Sequence, residues 1–229
     1  LDCYLRENPQ VCMARRKEVH FFDNEKYFVE SETDYYVYER AFEPTDATRA
    51  VGEATPIYMY WQPAIERIWR YNPKIKLIVI LRNPIERAFS HWNMERARNA
   101  EVLGFDEAIR FERERCRESL PQQHRVYSYL DRGFYSEQIR RIWRFFPSEQ
   151  VIILRYEDLR NHPDSTLSYI CDFIGVDYFG PVKQNEVQQW CYETQLQVSD
   201  KTYLKKMFTG EIKTLEHMLG WDLSDWLEV

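Results

Sequence analysis

Four short segments gather side chains capable of chemistry. The first, Lys17-Glu18-Val19-His20-Phe21-Phe22-Asp23, sets a cation, a carboxylate, an imidazole and a second carboxylate around two aromatic rings. Extended, it would turn Lys17, Val19 and Phe21 to one face and Glu18, His20 and Phe22 to the other. Glu18 and His20 would then be neighbours, as a general base and its partner must be. The rings would desolvate the carboxylate and strengthen it as a base. A half-buried edge strand with a hydrogen-bonded histidine accounts for the same residues without chemistry.

The second segment is Arg82-Asn83-Pro84-Ile85-Glu86-Arg87-Ala88-Phe89-Ser90. Arg82 ends an apolar run and precedes Asn-Pro, so its guanidinium is delivered where a strand gives way to a helix. Ser90 lies two turns into that helix. A guanidinium fork, a hydroxyl and exposed helix N–H groups make an anion site; an ion pair between Arg82 and a surface carboxylate such as Glu86 is the plainer alternative. The third segment, Gly52-Glu53-Ala54-Thr55-Pro56-Ile57-Tyr58, reads as an extended stretch turning at a sheet edge. Glu53 there either orients a site lysine or is simply a solvated charge. The fourth, Val151 to Leu159, is a strand followed by Glu157 and Asp158. It has a superficial likeness to the magnesium-holding strand of P-loop NTPases. No G-x-x-x-x-G-K-[ST] accompanies it, and an acidic first helical turn explains it equally.

Positioning these side chains calls for alternating strands and helices. Ile75 to Leu81 is an almost unbroken aliphatic run, the pattern of a parallel strand buried on both faces. Asn83 as N-cap and Pro84 at the first helical position start a helix that runs through Glu95. Gln62 to Tyr71 forms another, with Ile65, Ile68 and Trp69 on one face. A helix from Tyr135 presents Ile139, Ile142, Trp143 and Phe146. The strand Val151 to Leu154 follows, and then a helix from about Pro163 that closes at Gly175. The last helix, about Asp200 to Leu219, carries Leu204, Met207, Phe208, Leu215 and Met218. Glu112 to Arg115 and Arg140-Arg141 read as solvated helix faces, and His91 is given no role. This order predicts an α/β domain whose ligands bind at the carboxyl ends of the strands.

The 229 residues suffice for one compact domain, and no repeat or linker divides them. Lys plus Arg total 31 against 37 Asp plus Glu, a net charge of −6 that disfavours a nucleic-acid coat protein. No apolar run is long enough to span a bilayer. Five cysteines without C-x-x-C spacing argue against a zinc site or a disulfide framework and for a reducing, cytoplasmic compartment.

In order along the chain, K-E-V-H-F-F-D, G-E-A-T-P-x-Y, K-L-I-V-I-L-R-N-P-I-E-R-A-F-S-H-W, R-G-F-Y-S-E-Q-I and V-I-I-L-R-Y-E-D-L resemble the sulfotransferase family that uses 3′-phosphoadenosine 5′-phosphosulfate. Within it the likeness is to the branch of heparan sulfate and other glycosaminoglycan enzymes and their bacterial relatives. The resemblance implies a P-loop-like three-layer α/β fold with a central parallel sheet flanked by helices. It implies that Arg82 and Ser90 hold the donor's 3′-phosphate and that Glu18 is the general base. Lys17 and His20 would line the same cleft, His20 being the alternative base. Implied too are in-line transfer of a sulfuryl group to an acceptor hydroxyl or amine, no metal ion, a small-molecule or glycan acceptor and a monomer or weak dimer. For a eukaryotic catalytic domain the Golgi lumen would replace the cytoplasm.

Two family motifs have no counterpart. The Gly/Lys/Thr-rich loop for the 5′-phosphosulfate would precede Leu1, and the expectation is that this loop and the first strand are omitted from the sequence. The Lys/Gly/Arg-rich loop that covers the nucleotide is not found between Gly180 and Tyr203, where Lys183, Lys201, Lys205 and Lys206 are the nearest substitutes. Two other readings stand beside this one: a P-loop-type nucleotide kinase or NTPase, and a non-catalytic module that binds 3′-phosphonucleotides.

Overall fold

A computed structural model describes residues 1–29, 32–182 and 195–228; Lys183 and Cys191 lie outside the described residues. In chain order its elements are α1 (Asp2–Leu5), β1 (Val11–Met13), α2 (Tyr36–Glu39), β2 (Ala50–Gly52), α3 (Ile57–Tyr60), α4 (Gln62–Tyr71), β3 (Leu77–Leu81), α5 (Pro84–Ala97), α6 (Phe105–Arg117), α7 (Tyr135–Phe145), β4 (Val151–Arg155), α8 (Tyr156–Asn161), α9 (Pro163–Ile174) and α10 (Val198–Leu219). A 3-10 turn over Asp131–Gly133 precedes α7. The punctuation works as its chemistry dictates. Asn83 Oδ1 caps α5 by accepting from Ile85 N at 2.9 Å. Gly175 and Gly220 end α9 and α10 in the left-handed region, at φ 81° and 67°.

The chain forms two compact units. The first takes residues 1–80 and 142–182. There β1 and β2 pair in parallel, Val11 opposite Ala50 and Met13 opposite Gly52, and β3 pairs with β4. Both pairs feed one core, in which Met13, Ile78, Ile152 and Leu154 pack with Leu5 and Ile170. Burial of β3 is lighter than its sequence suggests. Val79 and Leu81 are buried but Leu77, Ile78 and Ile80 only half so, because each strand of a two-stranded ladder is an edge. The connection from β1 to β2 carries the 17–23 segment. Glu157 and Asp158 occupy the first turn of α8, where they complement the helix dipole.

The second unit takes residues 81–141 and 195–228 and is built on α5, α6 and α10. Ile85 and Ala88 of α5, Ile109 of α6 and Leu204, Phe208 and Leu215 of α10 are each 1% exposed or less. Four expectations about faces fail along the chain. Trp69 and Trp143 of the first unit and Met207 of the second are about 40% exposed, at the margins of their apolar stripes. The 112–115 run is not a solvated face: Glu112 is buried, and Arg115 turns inward to Glu101, whose side chain is fully buried, at 2.8 Å.

Candidate active site

The 17–23 segment is not a strand. Glu18 and His20 both adopt positive φ, 59° and 56°, so the chain coils and the alternating faces expected of it vanish; Phe21 and Phe22 are both buried. Non-glycine residues in this region cost about 1–3 kcal/mol each, and each fully buried phenyl returns roughly 1.5–3 kcal/mol. The two rings therefore anchor a strained turn. They sit in an aromatic cluster with Tyr38, Tyr58 and Tyr71.

What the strain achieves is a line of three side chains. His20 Nδ1 lies 3.1 Å from Asp23 Oδ2, and His20 Nε2 lies 3.4 Å from Glu18 Oε2. Asp23 is fully buried, whereas Glu18 and His20 are about 40% exposed. A buried carboxylate that only accepts keeps the proton on Nδ1 and aims Nε2 at Glu18. The structure thus brings Glu18 and His20 together as expected, adds Asp23, and leaves Lys17 exposed at the head of the turn. Glu18 does not receive the aromatic desolvation expected of it, because the rings point away into the core.

Glu53 is not a solvated charge either. It accepts from Thr55 Oγ1 at 2.5 Å and from Tyr58 Oη at 3.0 Å, and Tyr58 Oη in turn accepts from Phe21 N at 3.0 Å. Burial raises its pKa above the usual carboxylate value, against the pull of those hydroxyls. Glu53 thereby braces the turn from beneath, while Glu18 N donates to Ala54 O at 3.2 Å. Arg67 of α4 holds the exit, donating to Phe22 O at 3.0 Å and pairing with Glu25.

In the second unit, Arg82 follows β3 and folds over α5. Its Nε and Nη2 both donate to Glu86 Oε2, at 3.1 and 3.0 Å, the plainer partner named above. Glu86 and Ser90 are four residues apart and share a helix face, so Ser90 lies one turn beyond the guanidinium. The helix amides contribute less than expected. Pro84 has no N–H, Ile85 N is taken by the cap, and Arg87 N is bonded to Asn83 O.

The sequence profile described as Sulfotransferase domain matches residues 7–219. This chain belongs to the sulfotransferase family. A solved sulfotransferase from Alicyclobacillus acidocaldarius superposes with a TM-score of 0.84 at 26% identity, over 98% of this chain and 92% of that one. The membrane-associated sulfotransferase kil1 of Dictyostelium discoideum is 22% identical over 97% of this chain and 62% of its own length. Human heparan sulfate glucosamine 3-O-sulfotransferase 6 is 28% identical over 76% of this chain and 47% of its own. The chain thus spans about half to three-fifths of these curated relatives. The sulfotransferase neighbour confirms the α/β class, and membership replaces the kinase reading. Among the described residues no helix is long and apolar enough to cross a membrane.

Proposed function

We propose that this sulfotransferase moves a sulfuryl group from 3′-phosphoadenosine 5′-phosphosulfate to an acceptor hydroxyl or amine, and that Glu18 is its base. A saccharide hydroxyl is the acceptor class suggested by the name of the human relative. The observation that carries the reading is the Glu18–His20–Asp23 line. The bound donor supplies the sulfuryl group and a phosphate leaving group. Glu18 takes the acceptor's proton as the new bond to sulfur forms and the sulfur–oxygen bond to phosphate breaks. His20 shares that proton through Nε2, and Asp23 holds the ring and balances its charge. Acid–base help of this kind is worth about 10²–10⁴ in rate.

Arg82 and Ser90 fit a phosphate. Two guanidinium N–H groups already converge on a single carboxylate oxygen of Glu86, the place a phosphate oxygen would take with the same donors. Loss of a charge-assisted contact of this kind costs about 1.5–3 kcal/mol, so Arg82→Ala is expected to weaken nucleotide binding roughly ten- to hundredfold. The test is calorimetric titration of the full-length protein with adenosine 3′,5′-bisphosphate, AMP, and ATP with and without magnesium, followed by a transfer assay. Binding that requires the 3′-phosphate, ignores magnesium and is lost in Arg82→Ala supports the assignment. Magnesium-dependent ATP binding without 3′-phosphate preference overturns it. Binding without transfer to any acceptor favours the non-catalytic module.

A further inference from the structure

Arg82 is held by more than Glu86. The segment 129–136 runs along the first turns of α5 within the second unit. Arg87 donates to Tyr129 O. Gly133 lies so close to Pro84 and Phe208 that a Cβ there would meet them at 3.1 and 2.7 Å. Tyr135 Oη donates to Arg82 O at 2.9 Å. Two buried carboxylates from other helices fix the ends of this segment. Glu112 of α6 accepts from Leu130 N at 2.6 Å and Asp131 N at 2.8 Å. Glu211 of α10 accepts from Ser136 N at 2.6 Å and Ser136 Oγ at 2.9 Å. On its other side the turn is tied by Asn83 Nδ2, which donates to Trp226 O at 3.0 Å.

We propose that 129–136 is a strap that positions the phosphate-binding turn, with Tyr135 as the positioning residue for Arg82 and Glu112 and Glu211 as the clamps that hold the strap. Bidentate recognition is sensitive to angle, so a backbone carbonyl fixed at Arg82 sets where the guanidinium fork can reach. Two buried carboxylates spent on three backbone amides and one hydroxyl are costly to place, since a carboxylate taken from water must recover its solvation from donors. Such an outlay is understandable where a segment has to be held still rather than merely packed. The Tyr135 hydroxyl adds one more directed bond to a ring that is already buried, so its packing and its polar contact can be separated by mutation.

The proposal rests on Arg82 holding the 3′-phosphate, and the test separates the two. Tyr135→Phe removes one hydroxyl and keeps the ring. In the full-length protein it is expected to lower affinity for adenosine 3′,5′-bisphosphate about five- to tenfold and for adenosine 5′-phosphate less than twofold, with the melting temperature unchanged. Glu112→Gln, which keeps the shape and gives up one acceptor, is expected to lower the same affinity ratio by a smaller factor. Equal losses for both nucleotides, or no loss in either variant, would make the strap a purely structural element and overturn the proposal. Arg82→Ala in the same titrations tells which idea fails. If it abolishes the 3′-phosphate preference while Tyr135→Phe leaves that preference intact, only the strap falls; if it has no effect, the phosphate assignment falls and the strap with it.

Discussion

In the proposed reaction Glu18 has to pass on the proton it takes from the acceptor, and His20 Nε2 lies 3.4 Å away. Glu18→Gln keeps the shape but cannot accept the proton. Turnover is expected to fall about a hundredfold or more with donor affinity unchanged; single-turnover transfer beside nucleotide titration checks both, and retained turnover would make His20 the base. Asp23→Asn should leave the fold intact while weakening the hold on the imidazole proton. A tenfold to hundredfold loss in kcat with little change in KM is the expected signature; loss of folding in place of loss of kcat would assign Asp23 a packing role. Residue type and order were enough to put Glu18, His20, Arg82 and Ser90 forward as candidates. Asp23 was in view but roleless, since in a strand three residues would separate it from His20 on opposite faces. With His20 left-handed and the chain coiling there, Asp23 lies at 3.1 Å, and no periodicity announces a left-handed Glu or His.

Elements with strong local punctuation came out of the sequence almost to the residue. Gln62–Tyr71 lies between a tryptophan and Asn-Pro, α5 begins at Asn83-Pro84, and α9 ends at Gly175. Here local capping chemistry and tertiary packing agree. Expectations failed where a distant partner decides. The 112–115 run carries alternating charges that look solvated, yet Glu112 is claimed by amides 18 and 19 residues away and Arg115 by Glu101. Gly133 belongs to this class as well: nothing local demands glycine, since its φ is not positive. What excludes a side chain is the Phe208 ring at 2.7 Å from where a Cβ would lie, with Pro84 at 3.1 Å. Gly133→Ala must push α10 or the strap outward, and overpacking of this kind costs about 1–3 kcal/mol. Equilibrium denaturation should show that loss, whereas Gly210→Ala, with open space around its Cβ position and a helical backbone, should be neutral or stabilising. Equal stability of the two variants would mean the strap yields freely.

For the molecule as a whole, two buried groups of the second unit set opposing pH dependences. Burial pushes the Glu112 carboxyl up to about 7, with amides of Leu130 and Asp131 and the charge of Arg87 pulling the other way and Asp131 adding to the rise. Burial pushes the His91 imidazole down to about 4, helped by Arg132 and Arg87 and opposed by Glu95. A carboxyl raised from its unfolded value of 4.5 keeps a proton in the folded state that the unfolded chain has already released. Its contribution is therefore greatest below about pH 4.5 and is lost as pH climbs through 7. A histidine lowered from 6.5 behaves in the reverse sense: the unfolded chain binds its proton first, so stability is lost as pH falls from about 6.5 toward 4. Between about pH 4.5 and 6.5 the two slopes oppose each other, each worth on the order of 3 kcal/mol over its full window. Glu112→Gln removes one slope and leaves the other. Whatever constant penalty it carries for a lost acceptor, its stability relative to the unsubstituted protein should improve by up to about 3 kcal/mol from pH 5 to pH 8. Urea midpoints at several pH values measure that difference directly. Parallel curves for the two proteins would show that Glu112 is ionised at all of these pH values, held so by the same amides with which it clamps the strap.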